Sequence, residues 1–265
     1  MFLAKPGEYE ACGMYTIGHL ILLIITTIGV LVALKFTKNK NKKQIIKIIR
    51  NITIFLWVLE IIKIVFNLMV GNASNPNTYI PLYFCSMILY AGILSGFCKG
   101  KLKHVGDVFL ATGGMIAGIM FLLCPNTSLT TYPIFHYISI QSFILHGAMV
   151  YLGILVNIKN YIDVKGKDII YYASLMLIIS AIAFVFNIIF DSNLMFISKD
   201  FPGTPITILY NISGELFTTI MIVLQATAPF YIVYGVKYIV MKFVIKNVKK
   251  LYWQKNNLLY NKGWF

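Results

Sequence analysis

Residues Ile17–Leu34 read IGHLILLIITTIGVLVAL, and Lys35–Lys43, which follow, read KFTKNKNKK. An apolar run of about 20 residues is what a helix needs to cross the hydrocarbon core of a bilayer. A lysine cluster at its end marks the side that stays in the cytoplasm. The pattern repeats outward from this junction. Apolar runs fall at 15–36, 51–70, 80–98, 105–124, 134–157, 168–190 and 212–240. Of the connections, KFTKNKNKKQIIKIIR, CKGKLKH and KNYIDVKGKD are basic, whereas GNASNPNT and PNTSLTTYP are uncharged and DSNLMFISKDFPGTP is mixed. Every second connection is therefore basic, and seven crossings are needed to produce that alternation.

Composition agrees. The 265 residues are 58% hydrophobic and 12% charged, with a mean hydropathy of +0.78, against about a quarter charged in a soluble domain. The expected fold is all-α: a polytopic helical membrane protein with seven transmembrane helices, N-terminus outside and C-terminus inside. The membrane domain is expected over residues 1–242 and a basic, aromatic cytoplasmic tail over 243–265, with the cell membrane as location. Tyr252, Trp253, Trp264 and Phe265 among the tail lysines suit an anchor at an anionic lipid surface.

The net charge of +14 does not indicate a nucleic-acid partner, because the bases sit between apolar runs where topology requires them. Arg50 is the sole arginine among 23 basic residues, a skew that suits an AT-rich coding sequence. Membrane lipids are the expected partners. Glu8 and Glu10 precede the first apolar run and lysines follow it, the reverse of a cleavable signal peptide. Cys12, Cys85, Cys98 and Cys124 lack metal-ligand spacing, so neither a metal nor a cofactor is expected. A Cys12–Cys124 disulfide is compatible with both lying outside, but spacing does not demand it.

Ionisable residues inside a membrane are costly and mark candidate sites. Glu60, Lys63 and Asn67 share a helical face at i, i+3 and i+7, which fits either a self-neutralising pair or a pocket wall. Glu215 has no basic neighbour in its own run. His19 opens the first run, and His146 lies near mid-membrane on a polar face with Ser142 and Ser139. Gly147 beside it admits a close neighbour. Cys85 precedes Gly92 and Gly96, a GxxxG pair like Gly114 and Gly118 that lets helices pack closely. Spacing alone makes Cys85 a small packing residue. Helix rise also sets His146 deeper than Cys85 by roughly 8–10 Å, a gap that tilt or a later start to the fifth span would have to close.

Five segments resemble those of the YwaF-like family of bacterial multi-pass membrane proteins, which has an animal branch. They are YTIGHLILL with His19, WVLEIIK with Glu60, IPLYFCSM with Pro81 and Cys85, the stretch from TGGMIAGIM to SFILHG with His146, and NIIFDSNLMFISKDFPGTP. The likeness runs from about residue 14 to 235, with departures at Tyr83, Ser86, Cys124 and SGELFTTIM. It implies a seven-helix fold and, by analogy with the animal branch, acyl transfer between lipids through Cys85 and His146. A buried thiol needs a base to activate it, and neutral imidazole can take and return that proton. The expected site therefore has Cys85 as nucleophile and His146 as base, with His19, Glu60, Lys63, Asn67 and Glu215 contacting substrate. A solute-binding or transport protein using the same polar cavity is the competing class, and an accessory membrane protein without catalysis is the third.

Overall fold

The computed structural model describes the backbone of residues 1–71 and 73–260, and the side chains of those residues other than 241 and 244–260. Every regular element among them is helical. The α-helices are α1 (Ile17–Thr37), α2 (Lys42–Met69), α3 (Met87–Phe97), α4 (Gly100–Phe109), α5 (Met115–Leu123), α6 (Tyr137–Ile158), α7 (Ile169–Phe190), α8 (Pro205–Ser213) and α9 (Phe217–Tyr260). Asn41 starts α2 with a capping box, its side chain accepting from Gln44 N while Gln44 answers to Asn41 N. This pulls the lysines at 42–47 into the helix, so α2 begins nine residues before the expected boundary at 51. A π-helical turn over Leu110–Gly114 joins α4 to α5 and is buried throughout.

Six stretches among the described residues are long and apolar enough to cross a membrane: Ile17–Thr37, Lys42–Met69, Gly100–Leu123, Tyr137–Ile158, Gly166–Phe190 and Pro205–Val240. The expected span over 80–98 is different. Only Met87–Phe97 is helical there, an 11-residue helix about 16 Å long. The residues before it form turns, since Pro81 has no N–H to give and Leu82 O is occupied by Met195 N. Cys85 therefore stands ahead of α3 and does not share a helical face with Gly92 and Gly96.

Those glycines do mediate contact. A Cβ at Gly92 would strike the Thr53 side chain, and one at Gly96 would touch Arg50 of α2. Gly118 brings α5 against α6, where an added Cβ would lie 2.7 Å from His146 O and 2.8 Å from Val150. Gly147 admits Thr26 of α1, at 2.7 Å from the same construction. Such close approaches replace the hydrophobic drive that lipid does not supply between helices. Much of the outer surface is apolar and exposed, with Ile17, Ile25 and Leu31 on α1 and Ile170, Ile188 and Ile189 on α7. That is a surface suited to contact with lipid tails.

The basic connections lie at one end and are joined there. Lys103 Nζ reaches Asp107 (2.6 and 2.8 Å) and Tyr161 OH (2.5 Å), and Ser95 Oγ donates to Asp107 at 2.5 Å. His104 Nε2 meets Asp168 at 3.0 Å, and the Arg50 Nε donates to Gly96 O. The uncharged connections meet at the other end. The expected division at 242 falls inside α9, whose backbone continues as helix to Tyr260. The side chains of Tyr252 and Trp253, and residues Trp264 and Phe265, lie outside the described residues.

Candidate functional site

At the end away from the basic connections, five segments enclose a cavity of about 370 Å³. The first wall is α2. Glu60 is fully buried and forms an ion pair with Lys63, one turn on. Its second oxygen accepts from Gln141 Nε2 at 3.1 Å. Asn67 spends its amide on Lys63 O (3.0 Å) and Thr78 O (2.9 Å), which ties the end of α2 to the turn around residue 78.

The second wall is the non-helical stretch before α3, which contributes Tyr83, Cys85 and Ser86. Tyr90 OH donates to Pro81 O at 3.1 Å, folding this stretch back over the helix it leads into. Cys85 sits just before the first turn of α3, which opens at Met87.

The third wall is one face of α6: Ile138, Gln141, Ser142, Leu145 and His146, at the spacing of successive turns. His146 Nδ1 lies 2.6 Å from Ser142 O. A carbonyl can only accept, so Nδ1 carries the proton and Nε2 presents its lone pair. That Nε2 is buried and has no hydrogen-bond partner. Phe121 stacks on the ring face at 3.6 Å and 9°, which holds the imidazole plane. Lys63 lies within electrostatic reach of both Cys85 and His146. Cys85 and His146 line one cavity, and no hydrogen bond joins them. They stand on different walls, and two departures from regular spacing set their places: α6 starts at Tyr137, not 134, and Cys85 precedes its helix.

The remaining walls are loops. Asn126, Thr127, Thr130 and Thr131 set hydroxyls and amides around the mouth, with Tyr132 beside them. Opposite stand Phe196, Phe201 and Pro202. Met195 and Phe196 both have positive φ, 59° and 53°, a conformation that costs of order 1–3 kcal/mol at each such residue. Asn187 offsets it. Its side chain accepts from Leu194 N (2.7 Å) and Ser192 Oγ (2.8 Å), and donates to Leu194 O (3.0 Å) and Ser198 Oγ (2.8 Å). Asn193 accepts from Ser198 and Lys199 N–H groups, and its own N–H donates to Asn77 Oδ1 at 2.8 Å. The outcome is Phe196 packed on Tyr83 at 4.9 Å between ring centres.

Five of the seven sequence candidates meet here: Glu60, Lys63, Asn67, Cys85 and His146. Two do not. His19 is buried elsewhere, its Nε2 on Leu122 O (2.9 Å) and its Nδ1 accepting from Tyr15 N (3.1 Å). With both nitrogens engaged it fastens α1 to the end of α5. Glu215 is exposed in the turn Gly214–Leu216, where Gly214 breaks the chain between α8 and α9 with φ 53° and ψ −129°. Its carboxyl does not line the cavity. Ser139, placed on the polar face by spacing, gives its hydroxyl to Pro133 O at 3.0 Å. Cys12 and Cys124 are free thiols, next to Thr16 Oγ1 and Tyr15 OH respectively. Sequence reasoning missed Gln141, Phe121 and the threonine rim. Gln141 carried a legible signal, as a second polar residue on the face of α6 that holds Ser142 and His146. Among the described residues no three His, Cys, Asp or Glu side chains come together as a metal ion would require.

Compared with known families, residues 14–241 match the model of the TMEM164 family. No curated protein and no solved structure matches the chain.

Proposed function

The chain belongs to the TMEM164 family, and from that premise we propose that it is a membrane-embedded enzyme that transfers acyl groups between lipids through Cys85 and His146. The observation that carries this reading is the bare, buried Nε2 of His146, on the wall of the cavity that also holds Cys85. A buried nitrogen lone pair without a donor is costly, and it is what a general base requires.

In the first half-reaction the Cys85 thiol gives its proton to His146 Nε2 and the sulfur attacks the ester carbonyl of a donor lipid. The C–S bond forms, the ester C–O bond breaks, and Nε2 returns the proton to the departing oxygen. In the second, the hydroxyl of an acceptor lipid yields its proton to Nε2 and attacks the thioester. A new C–O bond forms and the C–S bond breaks, restoring the thiol. Lys63 puts positive potential at the sulfur while it is charged, offset in part by its own partner Glu60. Contacts of this kind tighten when substrate enters, so a long separation before binding is compatible with the role.

The membrane arrangement belongs to the same proposal. The α3 helix and the turns before it complete a seventh crossing, with the N-terminus and cavity mouth outside, the C-terminus inside, and the cell membrane as location. The charge alternation of the connections supports it, as does the gathering of basic connections at one end. The YwaF-like resemblance and its animal branch support the reaction class. Glu60, Lys63 and Asn67 would contact the headgroup region.

The test supplies purified protein with a diacyl phospholipid donor and a lysophospholipid acceptor. Cys85→Ala and His146→Ala are each expected to lose acyl transfer by about a hundredfold or more while folding normally. Retained turnover in either folded variant refutes the reading. The hydroxyl- and amide-rich rim at 126–131 favours one second reading, a binding or transport site for a small polar solute, in which both variants would still bind that solute.

A further inference from the structure

The basic end of the bundle has a recess of its own, which acyl transfer in the large cavity does not use. It measures about 210 Å³ and is lined by Asp163, Val164, Lys165, Tyr234, Lys237 and Tyr238. Tyr234, Lys237 and Tyr238 stand on one face of α9 at i, i+3 and i+4, and the 163–165 connection faces them. That connection is pinned. Tyr161, Ile162, Val164 and Asp168 are buried, Tyr161 OH and Asp168 are held by Lys103 and His104, and Lys165 N donates to Asp168 Oδ2 at 2.8 Å. Lys165 therefore projects from a fixed backbone.

Its acidic neighbour Asp163 is 3.9 Å away, with the two side chains 62% and 77% exposed, so that pair is loose and screened. Two ammonium groups and two phenols thus face one recess against a single carboxylate. Among the described residues, Lys237 and the two phenol groups have no hydrogen-bond or ion-pair partner. Ile158 and Ile170, at the ends of the two helices that this connection joins, are exposed apolar side chains. On α9 the lining side chains stand within six residues of Val240, where its apolar stretch ends.

We propose that this recess binds the phosphate of an anionic membrane phospholipid. Lys165 and Lys237 match its charge, Tyr234 and Tyr238 donate to its oxygens, and the acyl chains run along the exposed Ile158 and Ile170. Lysines supply charge to phosphate without fixing its orientation, and tyrosines at a membrane interface hold an apolar body against lipid and a polar tip at the headgroup. A free phosphate ion would meet the same groups but gain nothing from the apolar surround.

The test is native mass spectrometry of the full-length protein in a neutral detergent, titrated with phosphatidylglycerol or phosphatidylcholine. Wild-type protein is expected to bind phosphatidylglycerol at least tenfold more tightly. K165Q/K237Q is expected to lose about thirtyfold of that affinity, two lysines each at its worth near a membrane surface. K38Q/K40Q, an equal loss of charge at another basic turn, keeps it. Y234F/Y238F retains the charge and is expected to weaken binding severalfold, which also covers the case in which K165Q/K237Q fails to fold. Equal affinities in K165Q/K237Q and K38Q/K40Q overturn the proposal, as does unchanged binding by Y234F/Y238F or equally tight binding of phosphatidylcholine. A melting temperature raised as much by inorganic phosphate as by phosphatidylglycerol would overturn the lipid as ligand.

Discussion

Replacing Lys63 by methionine removes the ammonium that pairs with Glu60 and leaves a carboxylate with no exposed surface. Gln141 Nε2, at 3.1 Å, is its remaining donor. Removing one partner of a buried ion pair costs about 3–5 kcal/mol, because the charge left behind is uncompensated. The reverse change, Glu60→Gln, is expected to be milder. Lys63 keeps 19% of its side chain exposed and lines the cavity, so its ammonium can turn to water, at a cost of about 1.5 kcal/mol for the lost charged hydrogen bond. The double variant E60Q/K63M has no buried charge, and an amide at 60 can still bond Gln141. It should lie within about 1 kcal/mol of wild type, giving a coupling of at least about 3.5 kcal/mol across the cycle. Reversible unfolding in mixed detergent and SDS micelles, followed by tryptophan fluorescence, measures all four proteins. If K63M costs no more than E60Q, or the double variant is as unstable as K63M, the pair is not the buried charge couple described.

Three further outcomes follow from the packing and the loops. Gly118→Val drives a side chain onto His146 O and Val150, and should cost about 1–3 kcal/mol in the same unfolding assay while displacing His146 and lowering turnover; Gly29→Ala, at an open exposed site on α1, should leave turnover intact. Asn187→Leu orphans the N–H and C=O of Leu194, so a loss of about 1–3 kcal/mol per buried group is expected, with faster exchange of the amides at 194–198 in hydrogen–deuterium exchange. His136 caps α6, with its Nδ1 accepting from Ile138 N (3.1 Å) and its Nε2 on Ala4 O (3.2 Å). Burial pushes its pKa below the ordinary histidine value. The unfolded chain then takes up a proton near pH 6.5 that the folded chain resists. Stability is full above that pH and declines as acid carries the solution below it, and His136→Gln should flatten that decline in unfolding midpoints measured from pH 7.5 to 5.

The sequence made the helices legible because lipid imposes a length and a polarity on each, and Ile17–Leu34 with its lysines carries that signal within a few residues. Boundaries followed local chemistry that hydropathy does not report. The Asn41–Gln44 capping box moved the start of α2 back through the lysines, and the tie between Leu82 O and Met195 N, with Pro81, left α3 short. The polar face of α2 was readable because periodicity alone brings Glu60, Lys63 and Asn67 together. His19 and Glu215 misled for a related reason. Each is an ionisable group near an apolar run, yet whether such a group faces a cavity depends on its partners. His19 found a carbonyl on another helix and Glu215 sits at a glycine break. Gln141, Phe121 and the 126–131 rim act across tertiary contacts, so one-dimensional spacing gave them little weight.

The central claim is that Cys85 carries the acyl group. Purified protein, incubated briefly with a donor phospholipid and quenched in acid, can be read by intact-protein and peptide mass spectrometry. One added acyl mass is expected on the peptide containing Cys85, released by neutral hydroxylamine, absent in Cys85→Ala, and formed at least tenfold more slowly in His146→Ala. Acyl transfer by protein that never acquires that mass, or a label spread equally over Cys12, Cys85, Cys98 and Cys124, would contradict it.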